Sequence, residues 1–219
     1  MVKKFKISKV VAFDLDGTLI DSAPDITEAL NYVLKLNGLK STKVEDVKSL
    51  IGSGAKALIE DSFSKQGLGI KDIDKLTDAF LYKYKDCFKE KTILYDYTKV
   101  VLKQLTDKGY EIIIVSNKPE YYVKELLKHF NIYKYFSCIS GGDTFNFRKP
   151  DPRHLKQTLI DGHILNYDCI FVGDSKFDLK CADNSNIPCI LLTHGYSNIN
   201  VIKLEAFKVI DNLYNIVDI

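Results

Sequence analysis

Val10-Val11-Ala12-Phe13-Asp14-Leu15-Asp16-Gly17-Thr18-Leu19 decides how the rest of the chain is read. The apolar run Val10 to Phe13 predicts a short buried strand. It leads straight into two carboxylates, Asp14 and Asp16, and alternation along an extended chain turns residues i and i+2 to the same side. Gly17 frees the backbone to turn, and Thr18 adds a hydroxyl. In open α/β sheets the crevice beyond the carboxyl ends of the strands is where ligands bind. Asp-Gly is also an ordinary turn pair. Two acids abutting a wholly apolar strand argue instead for a metal or catalytic site, because unpaired charges there are costly.

After this stretch, Ser22 is placed to cap a helix and Pro24 suits its first turn. Ile26, Leu30, Val33 and Leu34 keep helical spacing, and Gly38 ends the element. Further helices are predicted around Val44 to Leu50, Ala55 to Ser64 and Ile73 to Phe88, with no strand before Tyr110 to Val115. From Asp14 to Tyr110 is 96 positions, far beyond the dozen or so that a parallel crossover needs. The helix Tyr97 to Lys108 suffices for that crossover. The all-helical remainder, roughly 21–90, is therefore an insert standing over the end of the first strand, read as a cap over the acid pair. Thereafter the pattern is regular: strand 111–115, a helix to His129-Phe130, strand 138–140, a helix from Pro152, strand 169–172, a further helix, and Pro188 to Leu192 as the last clear core strand. Short strands alternating with helices mean a doubly wound parallel sheet.

The 219 residues fit one α/β domain, or a core plus a smaller insert, and 46% apolar content suffices for a core. A net charge of +2 leaves no electrostatic footprint for nucleic acid. The Lys3-Lys4-Phe5-Lys6 patch reads as a solvated terminus. The apolar run behind it is too short for a signal peptide, and no stretch reaches the ~18 apolar residues of a membrane span. Five scattered cysteines without a CxxC pair point to reduced thiols and a cytoplasmic location. The four histidines lack ligand spacing, so a hard, oxygen-ligated ion is a better candidate than zinc.

Three later strand ends carry useful groups. Ser116 and Asn117 close a buried strand just before a helix whose first turn is expected to hold Pro119, where free N–H groups attract phosphate. From that segment alone, a helix cap is the simpler reading. Lys149 lies between Arg148 and Pro150-Asp151-Pro152, with Asp151 a candidate cap. A stiff loop there would aim Lys149 inward, although loop lysines are more often solvated. Gly173-Asp174 repeats the strand-then-carboxylate arrangement. Asp178, one helical turn on, faces the same side and also fits a capping box with Ser175. All of these fall on the same rim as Asp14 and Asp16.

In order, Asp14-Leu15-Asp16-Gly17-Thr18, Ser116, Lys149 and Gly173-Asp174 with Asp178 resemble the four motifs of the haloacid dehalogenase superfamily. The likeness spans nearly the whole chain. The stretch from Phe13 to Asp25, Ile51-Gly52-Ser53-Gly54-Ala55, Ile139-Ser140-Gly141-Gly142-Asp143, Lys149-Pro150-Asp151-Pro152 and Gly195-Tyr196 are similar to the phosphoglycolate phosphatase branch. The resemblance implies a Rossmann-like core (1–20 and 91–219) with a helical cap (21–90). It implies Mg²⁺-dependent phosphomonoester hydrolysis through an aspartyl-phosphate, with 2-phosphoglycolate as substrate. By the same resemblance Asp14 is the nucleophile and Asp16 the general acid and base. Asp14, the Asp16 main-chain carbonyl and Asp174 are the metal ligands. Ser116, the Asn117 amide and Lys149 hold phosphate, with Thr18 and Asp178 in support. Asp16 sets the chain apart from the dehalogenases themselves, which lack that acid. It also fits poorly with the phosphonoacetaldehyde hydrolases, so Lys56 in the cap is read as solvated or as a modest substrate contact. The alternatives are a capped pyrophosphatase, nucleotidase or sugar phosphatase, or a β-phosphoglucomutase-like enzyme. A phospho-acceptor module would be shorter and without a large cap. The expected partner is a small phosphorylated metabolite, and the expected assembly a monomer or homodimer.

Overall fold

The computed structural model describes residues 8–165, 167–197 and 205–217, and Lys3-Lys4-Phe5-Lys6 lies outside the described residues. Strand β1 (Ser8–Phe13) sits mid-sheet. Val11 and Phe13 enter one apolar layer and Val10 and Ala12 the other, which is why the strand shows no polar alternation. The short strand β2 (Ile20–Asp21) then leads out of the sheet into α1 (Ala23–Leu36), α2 (Val44–Lys48), α3 (Ala55–Lys65) and α4 (Ile73–Cys87). Ile26, Leu30, Val33 and Leu34 form the buried stripe of α1, and α4 packs on α1 and α3. The Asp72 side chain caps α4 by accepting from Lys75 N at 3.0 Å.

The chain returns through β3 (Ile93–Leu94), which pairs antiparallel with β2. No strand was expected here: two residues are too few for a period, and the pairing exists only because the outgoing and returning chains meet. Then follow α5 (Thr98–Asp107), β4 (Glu111–Val115), α6 (Glu120–His129), β5 (Cys138–Ser140), α7 (Pro152–Asp161), β6 (Tyr167–Gly173), α8 (Lys176–Asp183), β7 (Cys189–Leu192) and β8 (Lys208–Ile210). Strand β8 adds parallel to β7, so Leu192 does not end the sheet. Its three residues carry too little pattern to announce a strand. The second helix ends at Lys48 rather than Leu50.

The six-stranded sheet has the order β5-β4-β1-β6-β7-β8, with every pairing parallel. Counting only these strands along the chain, that is the doubly wound order 3-2-1-4-5-6. The order reverses between β1 and β6, and a crevice opens where connections diverge to opposite sides. Helices α5, α6 and the inserted helices share one apolar layer, whereas α7 and α8 cover the other. Phe13 and Phe171 are fully buried, one in each layer, and each stabilises by roughly 1.5–3 kcal/mol. No helix among the described residues is long and apolar enough to cross a membrane.

Candidate active site

Asp14 follows β1, and its main-chain N–H donates to Val172 O in β6 at 2.9 Å. Asp174, just beyond β6, is therefore brought beside it at the sheet's switch point. Gly17 has φ +87°, and a Cβ there would lie 2.5 Å from an Asp174 oxygen. The turn thus needs glycine for its backbone and for its clearance. Thr18 Oγ1 donates to Asp174 Oδ1 at 3.1 Å, and the Tyr196 N–H to Oδ2 at 2.7 Å. A Cβ on Gly195 would collide with the same carboxylate.

Lys149 precedes a cis peptide bond to Pro150. It is buried, with Nζ 2.7 Å from Asp14 Oδ1 and 2.7 Å from Asp178 Oδ1. The first contact is an ion pair without hydrogen-bond alignment; the second is a hydrogen bond. Asp178 Oδ2 accepts from Asp174 N, Ser175 N and Ser175 Oγ, at 3.2, 2.9 and 2.6 Å. Asp178 completes the capping box of α8 that the sequence suggests for it, and its other oxygen accepts from Lys149. Asp151 caps α7 as expected, accepting from Arg153 N at 2.9 Å.

Lys149 thus pairs with two of the three buried carboxylates, Asp14 and Asp178, and Asp174 stands beside them without a cation of its own. Burial, opposed by Lys149 and assisted by Asp178 and Asp16, lifts the Asp14 carboxyl to about 7. Asp174 is pushed well above the usual carboxylate range by burial, then by Asp178 and Asp14. Burial works to lower Lys149, but Asp14 and Asp178 overcome it and raise it instead. His154, whose Nδ1 accepts from Lys149 N at 3.2 Å, is kept neutral, its pKa lowered to about 3 by burial and then by Lys149.

Asp16 turns to other partners. Lys118 Nζ donates to both its oxygens, at 2.9 and 3.0 Å, and Ser22 Oγ donates to Oδ1. Ser22 does occupy the N-cap position of α1, but without a side-chain capping bond, because its hydroxyl serves Asp16. The Tyr196 hydroxyl accepts from Ser22 N and Ala23 N at that helix start, at 2.6 and 3.0 Å. Pro119 is the N-cap residue of α6 rather than part of its first turn. Neither Ser116 nor Asn117 caps that helix; Asp143 Oδ1 accepts from Glu120 N at 2.8 Å. Asn117 Nδ2 instead donates to Gly52 O and Lys149 O, at 2.8 and 2.9 Å.

A cleft joins these parts. Asp14, Asp16, Ser116, Asn117, Lys118 and Pro119 line its floor, and Ile51, Leu58, Phe80, Leu81 and Tyr84 belong to its inserted roof.

Residues 11–192 match the family described as haloacid dehalogenase-like hydrolase. The chain belongs to that family. Among curated proteins it is 35% identical over 213 residues to a phosphoglycolate phosphatase of Pseudomonas fluorescens, covering 95% of this chain and 78% of the relative. It is 34% identical over 208 residues to that of Agrobacterium fabrum, covering 94% and 89%. A solved structure described as a predicted phosphoglycolate phosphatase from Haemophilus somnus 129pt superposes with a TM-score of 0.88 at 28% identity, over 96% of this chain and 97% of that one.

For a hydrolase of this family the acid cluster fits a divalent cation. Carboxylate oxygens of Asp14, Asp174 and Asp178 all lie within 4.8 Å of one another, and hard oxygen donors suit Mg²⁺. Asp178 accepts four hydrogen bonds, from Lys149, Asp174 N and Ser175 N and Oγ, whereas Asp174 accepts two and Asp14 faces Lys149 alone, so Asp14 and Asp174 have the greater capacity to spare. Lys118 and Tyr196 went unnoticed in the sequence as members of the site. Lys118 had one signal, its place directly after Ser116-Asn117 at a strand end. Tyr196 had none beyond the Gly195-Tyr196 resemblance. Lys56 lies away from the cleft lining, half exposed and paired with Asp74.

Proposed function

We propose that the protein is a Mg²⁺-dependent phosphomonoester hydrolase whose substrate is 2-phosphoglycolate, yielding glycolate and phosphate. The observation that carries this reading is the buried cluster of Asp14, Asp174 and Asp178, two of them paired with Lys149, which meets through Asp14 a cleft that also holds Asp16.

In this reading Asp14 attacks phosphorus as the bond to the ester oxygen breaks. Asp16 gives its proton to that leaving oxygen. An aspartyl-phosphate on Asp14 splits one hard displacement into two. Asp16 then takes a proton from the water that attacks this phosphorus, and phosphate leaves Asp14 as a carboxylate. Ser116 Oγ and the Asn117 main-chain N–H hold phosphate oxygens. Lys149 keeps Asp14 in place and offsets its charge. A carboxylate facing one phosphate charge at about 4 Å meets roughly 4 kcal/mol of repulsion at an effective dielectric of ~20. Asp14, Asp174 and the Asp16 main-chain carbonyl would hold Mg²⁺, which would supply the positive charge that offsets this repulsion. Thr18 and the Tyr196 N–H steady Asp174. Residues 21–90 form a cap that excludes water and selects the leaving group, with 1–20 and 91–219 as the core.

Phosphate release is measured with Mg²⁺ on 2-phosphoglycolate, pyrophosphate, a nucleotide and hexose phosphates, with and without EDTA. The expected result is fastest release from 2-phosphoglycolate, silenced by EDTA and restored by Mg²⁺. Turnover indifferent to chelation rejects the metal role. Isomerisation of a hexose phosphate that needs a bisphosphate primer identifies a mutase, and a stable phosphoprotein without turnover a phospho-acceptor.

A further inference from the structure

Two lysines are buried among the described residues, Lys149 and Lys118. Lys149 belongs to the acid cluster, between Asp14 and Asp178. Lys118 is paired with Asp16 instead. Its ammonium lies 4.9 Å from the centre of the Tyr84 ring, which α4 brings down from the roof. The roof is otherwise mostly apolar: Leu58, Phe80 and Leu81 line it beside Tyr84. The Tyr84 hydroxyl is buried without a hydrogen-bond partner, and an orphaned donor of that kind is costly unless something joins it. Ring stacking with Phe80 at 5.6 Å and an edge contact with Tyr122 at 4.9 Å hold the phenol in place.

We propose that Lys118 and Tyr84 form the specificity site of this hydrolase, receiving a carboxylate carried by the leaving group one carbon away from the ester oxygen. The inference rests on the phosphatase reading above, in which Asp16 serves that ester oxygen. Lys118 holds both oxygens of Asp16, so a group on the adjacent carbon lies beside the same ammonium. In a cleft walled by apolar side chains a carboxylate needs a cation and further donors. Lys118 supplies the charge, and the Tyr84 hydroxyl is the second donor. An uncharged leaving group of the same size leaves the Tyr84 hydroxyl unpaired and Lys118 with Asp16 alone, and a site built around buried polar groups discriminates strongly against a substrate that cannot satisfy them.

The test compares kcat/KM for 2-phosphoglycolate with that for isobutyl phosphate, in which an isopropyl group of the same heavy-atom count replaces the carboxylate, in wild type, Lys118→Gln, Lys118→Arg and Tyr84→Phe. The ratio is read within one preparation, so partial loss of folded protein, or damage to Asp16 common to both substrates, cancels. Wild type is expected to favour the carboxylate substrate by about 10²-fold or more. Lys118→Gln should bring the ratio near unity, Lys118→Arg should keep most of it, and Tyr84→Phe, which deletes one oxygen from an intact ring, should lower it about tenfold. A wild-type preference that survives unchanged in Lys118→Gln and Tyr84→Phe overturns the specificity site and leaves the phosphatase reading standing. Equal wild-type turnover of both esters overturns it too, together with the choice of 2-phosphoglycolate. Turnover of neither substrate, nor of any other ester, overturns the phosphatase reading itself.

Discussion

The floor and the roof of the cleft are built on opposite principles. On the floor, Asp14 is backed by Lys149, Asp174 and Asp178, all of them buried, and each is held by charged or hydrogen-bonding partners from distant segments. The roof consists of helices whose apolar side chains share a layer with the sheet, and its polar contribution reduces to Tyr84 and main-chain groups such as Gly52 O. A charge-dense floor suits a reaction common to all phosphate esters. An apolar roof with one cation at its edge suits selection among them.

The largest expected effect breaks the floor. Asp14→Asn should reduce phosphate release to background while the circular dichroism spectrum stays native; appreciable turnover would remove Asp14 as the nucleophile. Asp16→Asn should cost about 10²–10⁴ in kcat, and a rate equal to wild type would take Asp16 out of proton transfer.

A third prediction uses the charge imbalance. The Asp14 carboxyl stands at about 7 and Asp174 is also raised, so the folded, metal-free protein binds these protons more tightly than the unfolded chain, where an aspartate titrates near 3.9. Stability from these groups is present at low pH and lost as pH rises through about 7. Metal-free protein should therefore lose melting temperature between pH 5 and pH 8, more than protein with Mg²⁺ does. Asp174→Asn should raise the metal-free midpoint at pH 8, by ~2–4 °C for each kcal/mol of relieved repulsion. A midpoint that climbs with pH, or falls in Asp174→Asn, breaks the account of the floor.

The smallest effect is on the roof. Phe80→Leu keeps the surface apolar and changes only its shape. It should reduce kcat/KM for 2-phosphoglycolate by about tenfold or less, with most of the change in KM. A loss as deep as that of Asp16→Asn would mean that the roof takes part in the chemistry.

The sequence by itself determined the central strand, the helical insert, the parallel alternation after Tyr110, and the residues at the strand ends. Each is a local matter: an apolar run of strand length, a helical period, an acid or glycine at the point where a strand stops. Only the tertiary structure decided which groups meet. The β2–β3 ribbon exists because two crossings between sheet and helices run side by side. Ser22 looks like a helix cap along the chain, yet its hydroxyl goes to Asp16, and Lys118, marked in sequence only by its place after Ser116-Asn117, grips the same carboxylate. Tyr196 reaches back 174 positions to the start of α1. A buried charge takes whichever partner the fold brings within hydrogen-bonding distance, and that distance is set by the whole sheet rather than by neighbours along the chain.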